Sequence, residues 1–192
     1  QNNVGMIFYE GKQVEINIDK AIYYFSLAAN QKYAEAQNNL GIVYMAGRYI
    51  EQDINKAIYY FELAANQNYV KAQFILGVFY FDKSYPQFYN IEKAFHYFSL
   101  AANQNSSDAQ YMLGIIYEQK NEINKAVQYI TLAANQNHQE ACMHLGVFYL
   151  NDKSNKQNIN KSIYYFHQAA NQNDPEAQYN LGCIYFYECY KI

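Results

Sequence analysis

Tryptophan is missing from this chain altogether, and proline occurs only twice in its 192 residues. With eight glycines besides, there is little of the turn chemistry on which a β-rich fold depends. No apolar run approaches the roughly 20 residues a membrane-spanning helix requires, so direct insertion in a bilayer is not expected. Charge of one sign is not in excess either. The 14 basic residues stand against 17 acidic ones, a net of −3, and no basic stripe marks a nucleic-acid groove. Cysteine is scarce and odd in number: Cys142, Cys183 and Cys189 have no regular spacing and form no Cys-x-x-Cys. That usage predicts free thiols in a reducing, cytoplasmic compartment. Catalytic signatures are lacking as well. There is no Gly-x-Ser-x-Gly, no phosphate loop and no kinase motif, and the acids are scattered rather than paired. The expectation is no enzyme activity and no cofactor.

What the chain does have is repetition, which by itself signals a stacked array. A Leu-Gly-x-x-Tyr core recurs at Leu40-Gly41-Tyr44, Leu76-Gly77-Tyr80, Leu113-Gly114-Tyr117, Leu145-Gly146-Tyr149 and Leu181-Gly182-Tyr185. A weaker copy at Val4-Gly5 has Phe8 in the tyrosine slot. An alanine stands four residues before each leucine, from Ala36 to Ala177. A second block, Lys-Ala-x-x-Tyr-Phe-x-x-Ala-Ala-Asn-Gln, starts at Lys20, Lys56, Lys93, Lys125 and Lys161, with small changes such as Ser162 and Ile130. Ala36, Leu40 and Tyr44 are spaced as one row of a helix, as are Ala57, Phe61 and Ala65. Glycine inside a helix costs about 1 kcal/mol against alanine. Its return at one slot predicts two backbones too close for a side chain, with Tyr44, Tyr60 and Phe61 filling the space between.

Capping signals divide the blocks. Asn17, Asp53, Asn90 and Asn158 are suited to cap the second helix, while Glu122 in the same slot is poor. Asn68, Asn105, Asn137 and Asn173 suit a left-handed closing residue, with Lys32 the exception. Asp174-Pro175 is a cap followed by proline at the first helical position. Glu35, Asp108, Glu140 and Glu176 favour the positive ends of the first helices. The resulting prediction is about eleven helices, near 1–10, 18–30, 34–46, 54–66, 70–82, 91–103, 107–119, 123–135, 139–151, 159–171 and 175–190. One continuous array over 1–192 is expected, about five repeats plus partial units, cut from a longer chain. The final helix is apolar over Cys183–Tyr190, which predicts that its outer side is covered by further chain or by self-contact with another copy.

These blocks resemble the Sel-one-like repeat, a relative of the tetratricopeptide repeat. That unit reads roughly A-x-x-x-L-G-x-x-Y-x-x-G-x-G-V-x-x-D-x-x-K-A-x-x-W-Y-x-x-A-A-x-x-G. The resemblance covers essentially the whole chain. It departs at the loop glycines, of which only Gly11 and Gly47 remain, and at the tryptophan slot, held by Tyr24, Tyr60, Tyr97, Tyr129 and Tyr165. The resemblance implies an all-α fold, a right-handed α-α superhelix, or solenoid, of antiparallel helix pairs. It also implies a scaffold or adaptor that binds a protein or peptide in a concave groove. A docking or regulatory arm of a larger enzyme, such as a protein kinase, is the alternative. Disulfide-rich relatives that bind or cleave β-lactams are a remoter one, because this chain lacks their cysteine framework.

Candidate binding residues come from slots that vary between copies. By resemblance to the tetratricopeptide arrangement, the slot two before each leucine faces the groove: Asn38, Phe74, Tyr111, Met143 and Tyr179. The slot after the tyrosine adds Met45, Phe81, Glu118, Leu150 and Phe186. The other reading is that some of these pack between repeats. Ile42, Val78, Ile115 and Val147 are uniformly aliphatic and are assigned to the core, as are the slot tyrosines. His138, Cys142 and His144 suggest a metal site by spacing, but no fourth ligand is evident, and they are read as ordinary surface and packing positions.

Overall fold

A computed structural model describes residues 1–11, 14–152 and 156–189. Among these residues there is no strand, and eleven helices follow one another: α1 (Asn2–Glu10), α2 (Ile18–Asn30), α3 (Ala34–Ala46), α4 (Ile54–Ala65), α5 (Val70–Phe81), α6 (Ile91–Asn103), α7 (Ser107–Gln119), α8 (Ile123–Ala134), α9 (Gln139–Asn151), α10 (Lys156–Ala170) and α11 (Pro175–Cys189). The Leu-Gly-x-x-Tyr block forms the odd-numbered helices and the Lys-Ala block the even-numbered ones. Two compact units divide the chain, residues 1–104 with α1–α6 and residues 105–192 with α7–α11. Within each, the extensive contacts join helices that are consecutive in the chain.

Most ends form where the sequence places them. Asn17, Asp53 and Asn90 accept the N–H of Lys20, Lys56 and Lys93 at 3.0, 2.9 and 2.9 Å, satisfying donors that the first turn leaves open. Glu122 makes no such bond. Asn68, Asn105, Asn137 and Asn173 are left-handed, with φ of 60–66°, and so is Lys32, at 62°. Helix α10 departs from expectation: it begins at Lys156, so Asn158 lies inside its first turn rather than capping it. The Asn158 amide instead donates to an Asp152 carboxylate oxygen at 2.9 Å.

The glycine slot is a notch for a side chain rather than a crossing of two backbones. A Cβ on Gly41 would stand 2.6 Å from the ring carbons Cδ1 and Cε1 of Phe61, and Phe98 and Phe166 fill Gly77 and Gly146 in the same way. These rings are fully buried, as are Ala57, Ala64 and Leu40. Ser162 replaces the block alanine in α10, and its buried hydroxyl donates to the Gly146 carbonyl at 2.7 Å.

Glutamines join neighbouring repeats. The Gln73 side-chain N–H donates to the Ala65 carbonyl at 3.1 Å, and Gln104 donates to the Gln73 side-chain oxygen at 2.8 Å. Gln37 and Gln67 repeat the arrangement one unit earlier. Cys142 holds this slot in α9, and its thiol meets the Ala134 carbonyl at 3.8 Å, a weaker substitute.

The slot tyrosines form stacked pairs between the two helices of each repeat. Ring centroids are 5.8 Å apart for Tyr44–Tyr60, 5.9 Å for Tyr80–Tyr97, 5.4 Å for Tyr117–Tyr129 and 5.9 Å for Tyr149–Tyr165. The block lysine lies over the first ring of each pair, at 5.2 Å for Lys56 on Tyr44 and 4.7 Å for Lys93 on Tyr80. Of these eight tyrosines only Tyr80 is fully buried, and the other seven are half-buried, so the core assignment is too strong for them. A ring with a polar tip suits such a half-buried position.

Candidate functional site

Two open hollows mark the surface. One, of about 440 Å3 in the first unit, is lined mostly by amides, including Gln1, Asn2 and Gln31. The other, of about 510 Å3 in the second unit, carries aromatic, thioether and charged side chains. Helix α7 supplies Tyr111 and Glu118 to this second cleft, and α9 supplies Glu140, Met143, His144 and Val147. Asp174 and Glu176, at the start of α11, complete an acidic rim, and no lysine or arginine lines it. Three of the residues chosen from slot variation, Tyr111, Glu118 and Met143, therefore meet in one cleft.

The cleft is built on Tyr111. Its ring centroid lies 5.0 Å from that of His138 and 6.0 Å from that of His144. Burial pushes the Tyr111 hydroxyl above its usual pKa, and the charges of Glu140 and Glu118 add to the shift. It stays protonated at neutral pH and can donate a hydrogen bond. Nδ1 of His138 accepts the Ala141 N–H at 3.2 Å, which leaves the proton of a neutral ring on Nε2. That Nε2 lies 3.2 Å from an Asp108 carboxylate oxygen, and His144 Nε2 lies 3.4 Å from Glu118. Each histidine thus faces a carboxylate. Among the described residues, no group of three or more His, Cys, Asp or Glu side chains is placed to hold a metal ion.

The other expected binding residues lie elsewhere. Asn38 is a correction: it is buried in α3 at 3 % exposure rather than displayed, and its side-chain oxygen has no hydrogen-bond partner. Phe74 and Phe81 are half-buried and turn their rings toward Phe98, at centroid distances of 5.8 and 6.3 Å. Met45 is half-buried near the end of α3. Leu150 packs against the core of the second unit. Tyr179 stands on α11 at 71 % exposure, and Phe186 is also exposed. The aliphatic slot is a second correction. Ile42, Val78 and Val147 are exposed, Ile115 is half-buried, and Val147 lines the cleft. This slot follows the variable one by four residues, so both lie on one helix face. The four-residue spacing in the sequence carries that shared face. Cys142 and Cys183 are free thiols, whereas the side chain of Cys189 lies outside the described residues, as does Tyr190.

The family model for the Sel1 repeat matches residues 1–33, 34–69, 70–106, 107–138, 139–174 and 175–189, nearly the entire chain. The chain belongs to the Sel1 repeat family. Sel1 repeat proteins serve in general as scaffolds for protein interaction and are typically non-enzymatic, which points to protein partners. A Sel1 repeat protein from Oxalobacter formigenes is similar at 28% identity and a TM-score of 0.81, over 96% of this chain and 76% of that one. The immunity protein Pa5087 from Pseudomonas aeruginosa is similar at 19% identity and a TM-score of 0.56, over 88% of this chain and 66% of that one. MamA is similar at 23% identity and 0.53, over 83% of this chain and 91% of that one. The last two likenesses show the fold alone: an α-solenoid of antiparallel helix pairs. A comparison with the curated proteins finds no match. No helix among the described residues is long and apolar enough to cross a membrane.

Proposed function

We propose that this Sel1 repeat chain is an interaction scaffold whose second unit holds a peptide segment in the α7–α9 cleft. The partner segment is basic and carries an apolar anchor. One observation carries this reading: Tyr111 and Met143 share a cleft whose charged rim is entirely carboxylate, from Glu118, Glu140, Asp174 and Glu176. A lysine or arginine of the partner would pair with that rim, while its apolar side chain would rest on Met143 and Val147. The Tyr111 hydroxyl would remain a donor for the partner's backbone. Large adaptable side chains ringed by charge are the composition expected of such a contact.

The test is titration of a labelled peptide of lysine and leucine residues against the chain. The paired change Glu118→Gln and Glu140→Gln is expected to weaken binding about three- to tenfold at low salt, because each exposed ion pair contributes up to about 1 kcal/mol. It should also flatten the salt dependence of the affinity. Tyr111→Ser together with Met143→Ser should weaken binding further. Affinity unchanged by both pairs of substitutions, in variants that melt as a folded chain, would remove the cleft from consideration.

A further inference from the structure

The chain has four histidines, and two of them, His138 and His144, belong to one repeat block and face carboxylates at the α7–α9 cleft. His138 opens α9 in a slot held elsewhere by Tyr33, Tyr69, Ser106 and Asp174. His144 takes the slot of Asn39, Ile75, Met112 and Asn180. Their side chains are 10% and 23% exposed, so both rings are held among neighbours. From α7 the two rings meet Asp108, Tyr111 and Glu118, and from α9 itself Glu140. Asp174 and Glu176, from the start of α11, line the same cleft.

A proton on these rings changes what they do. Nδ1 of His138 accepts the Ala141 N–H only while it carries no proton of its own. Glu140 stands 3.4 Å from the same nitrogen and receives no hydrogen bond from it in that state. A proton taken from solvent onto Nδ1 reverses both contacts. The Ala141 N–H loses its acceptor, and the ring donates to Glu140 while Nε2 still donates to Asp108. At His144, Nε2 lies 3.4 Å from Glu118, and a charged ring pairs with that carboxylate. Glu118 and Glu140 are two of the four rim carboxylates. Histidine is the side chain whose charge changes between about pH 5 and 8. In the first unit, Tyr69 and Glu35 hold the places of His138 and Asp108, and Ile75 and Met45 those of His144 and Glu118. Burial and the charge of Glu35 push the Tyr69 hydroxyl above its usual pKa, so no charge changes there over that range.

We infer that the α7–α9 cleft is gated by pH: protonation of His138 and His144 engages Glu140 and Glu118 and so releases a basic partner segment. The inference rests on the reading of the cleft as a site for such a segment. Above the histidine range the rim carboxylates are open to the partner's lysine or arginine. Below it, two of the four are neutralised by the chain's own cations.

The labelled lysine–leucine peptide is titrated against the whole chain in one low-salt buffer at about pH 7.5 and about pH 5.5, toward the two ends of the histidine range. The expected result is binding about three- to tenfold weaker at the lower pH, close to the loss from removing both carboxylate charges. In the double variant His138→Asn with His144→Gln, the ratio of the two affinities should fall to about one, because neither new side chain takes up a proton in this range. Asparagine at 138 keeps a capping oxygen for the Ala141 N–H. A readout without peptide is the Ala141 amide resonance. It should move between about pH 8 and 5 in the parent and stay in place in His138→Asn. Equal affinity at the two pH values, or a loss that survives in the double variant, would overturn the gate and leave the cleft reading standing. An Ala141 amide that does not respond to pH would overturn the part assigned to His138. No binding at the higher pH would overturn the cleft reading, and the gate with it.

Discussion

Alanine at Gly41 would set its Cβ 2.6 Å from two ring carbons of Phe61, a side chain buried without exposure. The ring is fully buried, as are Ala57, Ala64 and Leu40, so it has no open solvent to move into. Overpacking of this kind costs about 1–3 kcal/mol, against roughly 1 kcal/mol gained from helix propensity. Gly41→Ala is therefore expected to lower the urea midpoint, and an unchanged or raised midpoint would contradict the notch. The glycine itself was legible as a close approach, because its cost inside a helix demands a reason. That a ring fills it was not, since periodicity fixes a face but not which partner occupies it. Asn38 shows the same limit. It shares a sequence slot with Phe74 and Tyr111, yet its shorter side chain is buried in α3. Ile42 and Val78 are exposed although their slot is uniformly aliphatic, because apolar character alone does not place a residue inside. Each stands two residues after the buried leucine, about 200° around the helix, so geometry favours the open side.

Helix starts were the most legible elements, because a cap is a local exchange of one acceptor for one or two open donors. Asp174 is the strongest case: its Oδ1 accepts the N–H groups of Glu176 and Ala177 at 2.9 Å, and Gln139 donates to its other oxygen at 2.8 Å. The Ala177 N–H does most to hold this carboxyl below the usual Asp range, with Gln139 and the Glu176 N–H adding to it against the opposing effect of burial. Because the folded value is depressed, the stabilisation is fully present above the unfolded Asp pKa of about 3.9. It is lost as pH falls through the folded value. Asp174→Asn keeps a capping oxygen and removes the charge. The variant should melt below the parent at neutral pH, by the 0.3–1 kcal/mol or so that a charge at a helix start contributes. The gap should close on acidification below about pH 3.9. A gap that is constant with pH would show that the charge plays no part. The start of α10 was less legible. Asn158 is a good capping residue by type, but its amide is turned to Asp152, and the helix continues to Lys156. A cap-type residue reads the same whether it opens a helix or serves a contact just inside one.

At the scale of the whole molecule, stability accumulates from one helix to the next. In the first unit the extensive contacts run α1 to α2, α2 to α3 and on to α6, each helix meeting its chain neighbours. Glutamines add hydrogen bonds over the same short range, Gln67 to Gln37 and Gln104 to Gln73. Stability in such an array is close to a sum of repeat terms and nearest-neighbour terms, so a local lesion should remain local. Gly5 tests this, because a Cβ there meets Phe25 at 2.6 Å in the first pair of helices. For Gly5→Ala, amide exchange in α1 and α2 should quicken roughly five- to thirtyfold, the response to a loss of 1–2 kcal/mol. Protection in α5 and α6 should stay at the parent's level, because no extensive contact joins them to α1 or α2. Equal acceleration from α1 through α6 would show that the unit opens as one cooperative body, and the nearest-neighbour account of its stability would have to be given up.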